Sequence, residues 1–302
     1  MVKNRHTAGQ AIPEVAFAAP VGTPVGLEVI TLADLRARAR ARGTDLGAPQ
    51  RPGFHHVLTL TSGALRQTVD FAGYVLEPGS WLWVRPGQVL QWGPLEEAEG
   101  TLIVFERDFP DAATVGAARL DDPHARVLHT PATEDAEALW VATAHLEREF
   151  RARGRLPLDT HIAVVRHLLD ALILRVAHLE ASGSRAAEPG ETFLRFREAV
   201  ERDFARTRRV DDYAAALGYS ARTLSRAALD SAGVGAKEFI DRRVVLEAKR
   251  LLAHTDHAAA RIAAQLGFSS ATNFAKYFHQ RAGQAPIAFR VAVRGRTQTL
   301  SE

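Results

Sequence analysis

A pattern that occurs twice near the C-terminus constrains the fold of this chain more than any other feature. Each copy has a large apolar residue followed by Ala, then Leu-Gly-aromatic-Ser, then another large apolar residue, then Gly. The copies run from Tyr213 to Gly233 and from Ile262 to Gly283, offset by 49 residues at first and by 50 after the turn. The second copy therefore has one extra residue in its turn, and the sequence predicts two similar helical units.

Each copy has the residues that a helix-turn-helix requires. Ala214 and Ala263 are small enough to let a second helix approach the first closely. Gly218 and Gly267 stand where the first helix must end, because glycine adopts the left-handed C-cap conformation at little cost. The residues after each turn show one apolar and one polar face at a helical period, as a recognition helix does.

Serine residues begin the second helix of each copy. Ser220 in the first copy, and Ser269 or Ser270 in the second, can accept a backbone N–H hydrogen bond at the helix N-terminus. Between the copies, Ala236–His254 has apolar residues on one helical stripe, namely Phe239, Ile240, Val244, Ala248, Leu251 and Leu252. This helix would be about 28 Å long, which suits two recognition helices in major-groove segments about 34 Å apart.

Residues Thr192 to Arg294 resemble the AraC/XylS family of transcription regulators. The residues that carry the resemblance are Arg243, Ala248, Leu251, Leu252, Ile262, Ala263, Leu266, Gly267, Phe268, Ser269, Phe274, Phe278, Gly283, Pro286, Phe289 and Arg290. The resemblance implies that this segment binds double-stranded DNA through two helix-turn-helix motifs. One position departs from the family, since Ala228 stands where an aromatic residue is usual, as Phe278 is in the second copy. We therefore expect weaker packing in the first motif.

Matched residue by residue, the resemblance implies DNA contacts from Ser220, Arg222, Thr223, Ser225, Arg226, Ser269, Ser270, Ala271, Thr272, Asn273, Ala275 and Lys276. Arg222 and Arg226 project from one helix face, and Arg pairs bidentately with guanine O6 and N7. Thr272 with its neighbouring alanines suits thymine methyl groups, and Lys276 suits a phosphate. The prediction is a half-site with a G-dependent block and a T-containing block. The alternative is that Arg222 contacts only phosphate.

Charge differs between the two parts of the chain. From Thr192 onward there are 19 Lys and Arg against 11 Asp and Glu, a net charge of +8, whereas residues 1–191 have a net charge of −5. A polyanionic partner of the C-terminal part explains this difference. The alternative is a solvated basic surface.

Length and composition set further limits. The chain has 302 residues, enough for two domains, and it has no cysteine. Disulfides, thiolate metal sites and cysteine nucleophiles are excluded, and so are the alkyl-accepting repair proteins that share this DNA-binding fold. No apolar run is long enough to span a membrane, and no signal-peptide pattern follows the first residues. We therefore expect a cytoplasmic protein with no membrane partner.

The N-terminal part has short strands separated by Gly and Pro turns. The predicted strands are His56–Thr61, Leu65–Phe71, Trp81–Val84, Val89–Trp92 and Thr101–Phe105. This pattern favours a small barrel or sandwich. Residues 50–110 resemble, more loosely, the cupin-like sensor domain of the arabinose-regulator branch of the family. The predicted fold class is α+β: an N-terminal cupin-like β-barrel with dimerisation helices, followed by an all-α double helix-turn-helix.

A barrel of this size can hold one small ligand. The resemblance implies that Trp92 matches a position that stacks on the effector, and Trp81, Trp83, His55 and Arg66 are weaker candidates. The alternative for the tryptophans is that they are core residues.

A metal site is not expected in this barrel. His55 and His56 are adjacent and so point to opposite faces of a strand, and no later histidine completes the set that cupin metal sites use. No cofactor and no catalytic residues are predicted, which favours a sensor over an enzyme. Two alternatives stay open: a cupin-type enzyme with an accessory DNA-binding domain, and a regulator whose barrel binds no ligand.

Two helical segments raise further alternatives. The apolar stripe from Ile162 to Leu179, within helical residues 134–181, predicts either a homodimer interface or an intradomain bundle. Leu32 to Arg42 alternates Arg with Ala and forms either a phosphate-binding patch or a solvated helix face.

The predicted domains are residues 1–181 for effector sensing and dimerisation, 182–191 as a flexible linker, 192–294 for DNA binding, and 295–302 as a tail. The predicted function is a sequence-specific transcription regulator. Its expected partners are promoter or operator DNA, an unknown small-molecule effector, a second copy of the chain, and RNA polymerase if it is an activator.

Overall fold

The computed structural model describes residues 12–17, 26–122, 125–152, 154–179 and 190–295. The chain divides into two compact units. The N-terminal unit is Pro13–Arg185, and the C-terminal unit contains the residues after Arg185 together with Ile12. Most of the predicted linker, 182–191, and of the predicted tail, 295–302, lies outside the described residues.

The described part of the N-terminal unit contains ten strands and four helices. The strands are β1 (Glu14–Val15), β2 (Leu27–Thr31), β3 (Arg51–Pro52), β4 (His55–Ser62), β5 (Leu65–Val69), β6 (Ala72–Leu76), β7 (Trp81–Val84), β8 (Leu90–Trp92), β9 (Glu99–Phe105) and β10 (Leu128–His129). The helices are α1 (Leu32–Arg42), α2 (Ala112–Ala117), α3 (Thr133–Arg151) and α4 (Leu158–Ala177). The five strands predicted from the sequence are confirmed.

These strands form two antiparallel sheets and one short parallel pair. The larger sheet has the order β10-β7-β4-β9-β2, the smaller has the order β6-β5-β8, and β1 pairs with β3. Side chains alternate between the two faces of each strand. Leu58 and Leu60 of β4 therefore join the apolar core that also contains Leu65 and Val69 of the smaller sheet. The two sheets enclose this core, as the sequence predicted for a small β-barrel or sandwich.

The other face of the larger sheet is covered by α3 and α4. Val57, Trp81 and Trp83 of the sheet lie in one apolar cluster with Leu169 and Leu172 of α4. The buried part of the predicted α4 stripe thus packs within the unit, as the intradomain alternative requires. Leu172 is only 1% exposed in the single chain, so it is a core residue rather than a surface residue available to a second copy.

Helix α1 has the bounds that the Arg–Ala alternation suggested, but two of its arginines are tied to the barrel. Arg36 Nη1 donates to the carbonyl oxygens of Leu95, at 2.8 Å, and Ala98, at 2.7 Å. Arg38 forms an ion pair with Glu28. These two arginines stabilise the packing of α1 against the sheets, and the phosphate-patch alternative loses half of its four cations.

The C-terminal unit is all helical in its described part. Its helices are α5 (Glu191–Asp203), α6 (Val210–Leu217), α7 (Ala221–Ala232), α8 (Ala236–His254), α9 (Ala259–Gln265), α10 (Ala271–Ala282) and α11 (Pro286–Gly295). The α+β class with an all-α C-terminal part is confirmed, and α8 has the bounds that the apolar stripe predicted. In the described part of the chain, every helix is too short or too polar to cross a membrane.

Candidate nucleic-acid interface

Both helix-turn-helix motifs contain the turn glycines and capping serines that the sequence predicted. Gly218 and Gly267 have positive φ values of 71° and 69°, which glycine adopts without strain. The Ser220 hydroxyl accepts the Thr223 N–H at 3.0 Å and caps α7. In the second motif Ser270 caps α10 by accepting from the backbone N–H of residue 273 at 3.1 Å. The extra residue predicted for the second turn is present as a second serine.

The two recognition helices, α7 and α10, present the same face to solvent. Leu224 and Ala228 of α7 are buried, and Phe274 and Phe278 occupy the equivalent buried positions of α10. The exposed residues at matching positions are Arg222, Thr223 and Arg226 in α7 and Thr272, Asn273 and Lys276 in α10. Each motif therefore offers three polar or charged side chains on one exposed helix face.

The first motif fills its core differently from the second. Ala228 is fully buried, and the apolar cluster around it takes its aromatic side chains from other helices. Phe196 of α5 lies edge-on to Tyr213 at 5.8 Å and beside Phe239 at 5.7 Å. Helix α5 thus supplies aromatic area that Phe278 supplies within the second motif. The sequence departure at Ala228 leaves no exposed gap.

A contact from the α5–α6 connection fixes the second turn. Arg208 Nη1 donates to the Leu266 carbonyl at 2.7 Å, and Nη2 donates to the Gly267 carbonyl at 3.1 Å. The same guanidinium lies over the Phe268 ring at 3.9 Å. A Cβ atom at Gly267 would come within 2.1 Å of the Ala205 carbonyl oxygen, so glycine is needed here for close approach as well as for φ. The first motif and the second turn are therefore held together.

A buried carboxylate joins α8 to α10. Asp241 accepts hydrogen bonds from Tyr277 Oη at 2.7 Å and Arg281 Nη2 at 2.5 Å, and it also pairs with Lys237. Burial acts to raise the pKa of Asp241, but the bonds from Lys237, Tyr277 and Arg281 outweigh burial and lower it. Burial and the bond to Asp241 raise the pKa of Tyr277. This network fixes the rotation of α10 about its axis relative to α8.

Two arginines of α11 close the C-terminal end of α8. Arg290 Nε donates to the Leu252 carbonyl at 3.1 Å, and Arg294, which is 2% exposed, donates to the carbonyls of Ala253 and Thr255. These are carbonyl groups that the end of a helix leaves without intrahelical partners. The cations also oppose the negative end of the α8 dipole.

A basic cleft that the sequence did not predict adjoins the exposed face of α10. It has a volume of about 710 Å³ and is lined by Arg206, Thr207, Arg208, Arg209, Asp212, Lys237, Asn273, Lys276, Tyr277, Gln280 and Arg281. Six of these residues are cationic and one is anionic. The cluster Arg206–Arg209 was visible in the sequence, but its position beside α10 depends on contacts between distant segments.

The residues predicted to contact DNA differ in their exposure and in the contacts that they already make. Arg222 and Lys276 are exposed and form no ion pair with any described residue. Arg226 is exposed but lies 3.9 Å from the Asp230 carboxylate. Ser220, Thr223, Ser269, Ser270 and Asn273 are engaged in capping or neighbouring hydrogen bonds at the helix N-termini. Ser225, Ala271 and Ala275 are partly buried beside the exposed residues.

The predicted effector residues do not share one site. Trp92 is 5% exposed and lies in the core between the sheets, opposite Gln67 in the β5–β8 ladder. Trp81 and Trp83 lie on the other face of the larger sheet, buried in one cluster with residues of α3 and α4, which is what their core alternative predicts. His55 stacks on Phe105 in that same helix-covered layer, at 4.7 Å.

The smaller sheet holds the remaining candidate. Arg66 is exposed on β5, next to Gln67. The Gln67 side chain is 3% exposed, and neither atom of its amide group has a hydrogen-bond partner among the described residues. Tyr74 and Trp92 flank Gln67 on the two neighbouring strands. Tyr74, Gln67 and Trp92 therefore form one row across the smaller sheet.

The adjacent histidines point to opposite faces, as predicted. His55 belongs to the helix-covered layer, whereas His56 stacks on Phe54 of the core between the sheets at 4.8 Å. Within the described ranges, a different set, Asp111, His167 and Asp170, brings three potential metal-ligand atoms within 4.8 Å of one another. Asp170 already accepts from the backbone N–H of Asp111 at 3.3 Å, and we assign no metal to this surface group.

Comparisons with known proteins identify the C-terminal unit. The family model described as helix-turn-helix domain matches residues 213–292. The HTH-type transcriptional activator RhaS of Klebsiella pneumoniae (strain 342) is 24% identical over 146 residues, which cover 48% of this chain and 52% of RhaS. An uncharacterized HTH-type transcriptional regulator of Staphylococcus aureus (strain MSSA476) is 38% identical over 74 residues, 24% of this chain and 10% of that protein. The chain thus spans about half, or less, of these curated relatives.

The chain also aligns with solved structures. ToxT from Vibrio cholerae O395 aligns with 80% of this chain and 90% of its own, at 15% identity and a TM-score of 0.40. A Chromobacterium violaceum transcriptional regulator with an AraC-type DNA-binding domain aligns with 34% of this chain and 91% of its own, at 22% identity and a TM-score of 0.31.

The Asp241 network generates a prediction about stability. Asp241→Asn should lower the free energy of unfolding of the C-terminal unit by about 1–3 kcal/mol, because it weakens hydrogen bonds to a buried charged group. The helical circular dichroism signal reports this unit, and tryptophan fluorescence is an internal control, since all four tryptophans precede residue 141. Asp230→Asn, at an exposed position of α7, should change stability far less.

The pH dependence of this difference has a defined sign. The pKa of Asp241 is lowered on folding, so its contribution is fully present above the ordinary carboxyl pKa of 3.8. It should be lost as the pH falls through the lowered value. A difference between wild type and Asp241→Asn that grows on acidification would contradict the assigned network.

Proposed function

We propose, from the premise that residues 213–292 are a helix-turn-helix domain of the AraC type, that this chain is a sequence-specific transcription regulator that binds double-stranded DNA. The observation that carries the proposal is the pair of recognition helices with matching exposed faces, α7 and α10, joined by one 19-residue helix. Such a regulator acts where the cell keeps its DNA, which in a bacterium is the cytoplasm.

The two helices differ in the chemistry they offer to DNA. Arg222 of α7 is exposed and unpaired among the described residues, so its guanidinium is available to the O6 and N7 atoms of a guanine. Thr272 of α10 offers a methyl group to thymine, and Lys276 offers a point charge to a phosphate. A half-site with a G-dependent block and a T-containing block fits this division.

The basic cleft beside α10 supports the same function. Arg209 is exposed at its rim, where Lys276 also lies, and its Nη2 approaches the Asp211 carboxylate no closer than 3.8 Å. Phosphate contacts of this kind position a protein on the duplex and carry no base information. The cleft would therefore receive the sugar-phosphate backbone adjacent to the groove that α10 enters.

The N-terminal barrel is proposed to bind a small-molecule effector that controls DNA binding. Support comes from the buried Gln67 amide, which lacks a partner among the described residues, and from Trp92 beside it. A buried amide without hydrogen bonds is costly, and a polar ligand would satisfy it. Arg66 stays a weaker candidate at the edge of this row.

Two alternatives to an effector-controlled regulator can each be tested separately. A cupin-type enzyme with an accessory DNA-binding domain predicts stoichiometric bound metal, which elemental analysis of the purified protein would detect. A regulator without a small ligand predicts that the Gln67 row tolerates apolar substitution with no change in regulation. If the protein activates transcription, RNA polymerase is an expected partner.

A homodimer is also part of the proposal. Ala171 is exposed on α4 between Leu168 and Leu174, which pack against the core of the unit but stay partly exposed. Pairing two DNA-binding domains would let the protein occupy two half-sites.

Base readout by Arg222 can be tested by selection from random DNA. Arg222→Ala should weaken binding by about 1–3 kcal/mol and relax the preference at one guanine. Lys276→Ala should weaken binding to all sequences alike and reduce the salt slope by about one unit. Arg242→Ala, at an exposed position of α8 paired with Glu238, is the matched control. Recovery of the wild-type consensus with Arg222→Ala, at uniformly lower affinity, would show that α7 contacts phosphate alone.

The role of Trp92 is testable by comparing effector response with stability. Trp92→Ala should abolish the response to effector while basal DNA binding persists. Because Trp92 is 5% exposed, the same change also tests the core alternative, which predicts a stability loss of about 3–5 kcal/mol. Trp92→Phe keeps most of the apolar volume, so it separates a loss of effector binding from a loss of stability. A normal effector response in a stably folded Trp92→Ala protein would exclude Trp92 from the site.

The dimer is testable by light scattering at micromolar concentration. The wild type should have twice the chain mass of 32.9 kDa, and Ala171→Glu should be monomeric with unchanged thermal unfolding. Leu172→Glu should instead unfold the N-terminal unit, because Leu172 lies in its core. A monomeric wild type would remove the dimer from the proposal.

A further inference from the structure

An arginine without a counterion is buried in the helix-covered layer of the larger sheet. Arg85 directly follows β7 and is 4% exposed. Its guanidinium lies over the Trp83 ring at 4.5 Å, and Nη1 donates to the Arg126 carbonyl at 3.2 Å. Its Nε has no hydrogen-bond partner, and Arg85 forms no ion pair, among the residues that the structure describes.

A histidine on the neighbouring strand has a second unpartnered donor. In the β4–β7 ladder His56 lies opposite Val84, so the next pair in register is His55 and Arg85. Trp83 Nε1 donates to His55 Nδ1 at 3.3 Å. An indole N–H only donates, so Nδ1 must be the unprotonated nitrogen and Nε2 must carry the proton. Nε2 is buried and has no partner in the described part of the chain.

The charged groups that act on His55 are cationic. Burial, together with Arg85, Arg107 and His56, lowers the pKa of His55 to about 2, so its imidazole is neutral at physiological pH. Burial lowers the pKa of Arg85 to about 10, which leaves it charged. Asp122 and Asp121 act in the opposite direction on Arg85, but neither lies within ion-pair distance of it. The Asp121 carboxylate instead lies 3.5 Å from Arg107.

We propose that the N-terminal unit binds the carboxylate of a small organic acid between Arg85 and His55. Both unpartnered groups are donors, so the missing partner must be an acceptor, and the buried cation requires that it be an anion. One cation compensates one negative charge, and the rings of Trp83 and Phe105, which contact Arg85 and His55, are apolar neighbours, so a monocarboxylate is favoured over a phosphate dianion. That binding of this acid would affect regulation, in addition to the effector proposed for the row of Gln67 and Trp92, rests on the proposed function; that the site binds a carboxylate does not.

The site is distinct from the row of Gln67 and Trp92. Those residues line the core between the two sheets, whereas Arg85 and His55 lie on the face that α3 and α4 cover. A ligand here would contact the layer that joins the sheet to these helices. Its binding would therefore stabilise the packing of the helices against the sheet.

The assignment can be tested by thermal unfolding of the full chain, monitored through tryptophan fluorescence. The probe is sodium acetate, and the reference is sodium chloride at equal ionic strength. Acetate at about ten times its Kd should raise the Tm of the wild type by roughly 3 °C or more. Arg85→Met should lose this response. Arg42→Met, at the exposed end of α1, should keep it.

The unliganded variant gives an independent result. Arg85→Met removes a buried charge that has one hydrogen bond, so its Tm without acetate should equal or exceed that of the wild type. A Tm several degrees lower, with no acetate response in the wild type, would show that Arg85 is a structural residue and overturn the proposal. A larger response to inorganic phosphate than to acetate would overturn the monocarboxylate assignment.

A measurement on the wild type alone covers the case in which Arg85→Met fails to fold. In protein with 15N-labelled histidine, acetate should shift the His55 Nε2–H resonance, because that proton gains an acceptor. An unshifted resonance at saturating acetate would contradict the site. DNA binding is measured separately by gel shift: its absence with an intact acetate response would refute the regulatory function and leave the carboxylate site standing.

Discussion

The arrangement of the two recognition helices depends on the buried carboxylate of Asp241. A protein that reads two segments of DNA must hold two helices at a fixed spacing and a fixed rotation. Helix α8 sets the spacing through its length, but length alone does not set the rotation of α10. Asp241 does so, because Tyr277 and Arg281 of α10 both bond to it. A charge this deeply buried is stable only while those partners stay in place, so a rotated α10 would leave it uncompensated.

The two motifs show how one sequence pattern reaches the same exposed face through different cores. In the second motif Phe274 and Phe278 pack within the motif and against Phe289 of α11, at 5.6 Å from Phe278. In the first, Ala228 makes room and α5 supplies Phe196. Each motif therefore relies on an additional helix, α5 or α11. That helix is part of the domain in a physical sense, because without it the buried face of the recognition helix would be open to water.

What the sequence could predict was set by local signals. Capping serines, turn glycines and a 3.6-residue period determine where α7, α8 and α10 begin and end, and each of these signals acts within a few residues. Period-2 alternation likewise predicted the strands and showed that Trp81 and Trp83 share a face. It could not show which face α3 and α4 would cover, since that depends on segments 50 or more residues away. The basic cleft and the Arg208 contact to the second turn were missed for the same reason.

The excess of basic residues in the C-terminal part serves two purposes: some of these residues stabilise the fold, and only the others are available to bind DNA. Arg208, Arg290 and Arg294 donate to backbone carbonyls at turns and helix ends, and Arg243 is held by Glu201 and Glu247. These cations bind groups within the domain, so removing them would lower its stability rather than remove a DNA contact. The charges left for DNA are exposed ones such as Arg222 and Lys276. Net charge therefore indicates the kind of partner but overstates the number of contacts, which only the exposed subset can make.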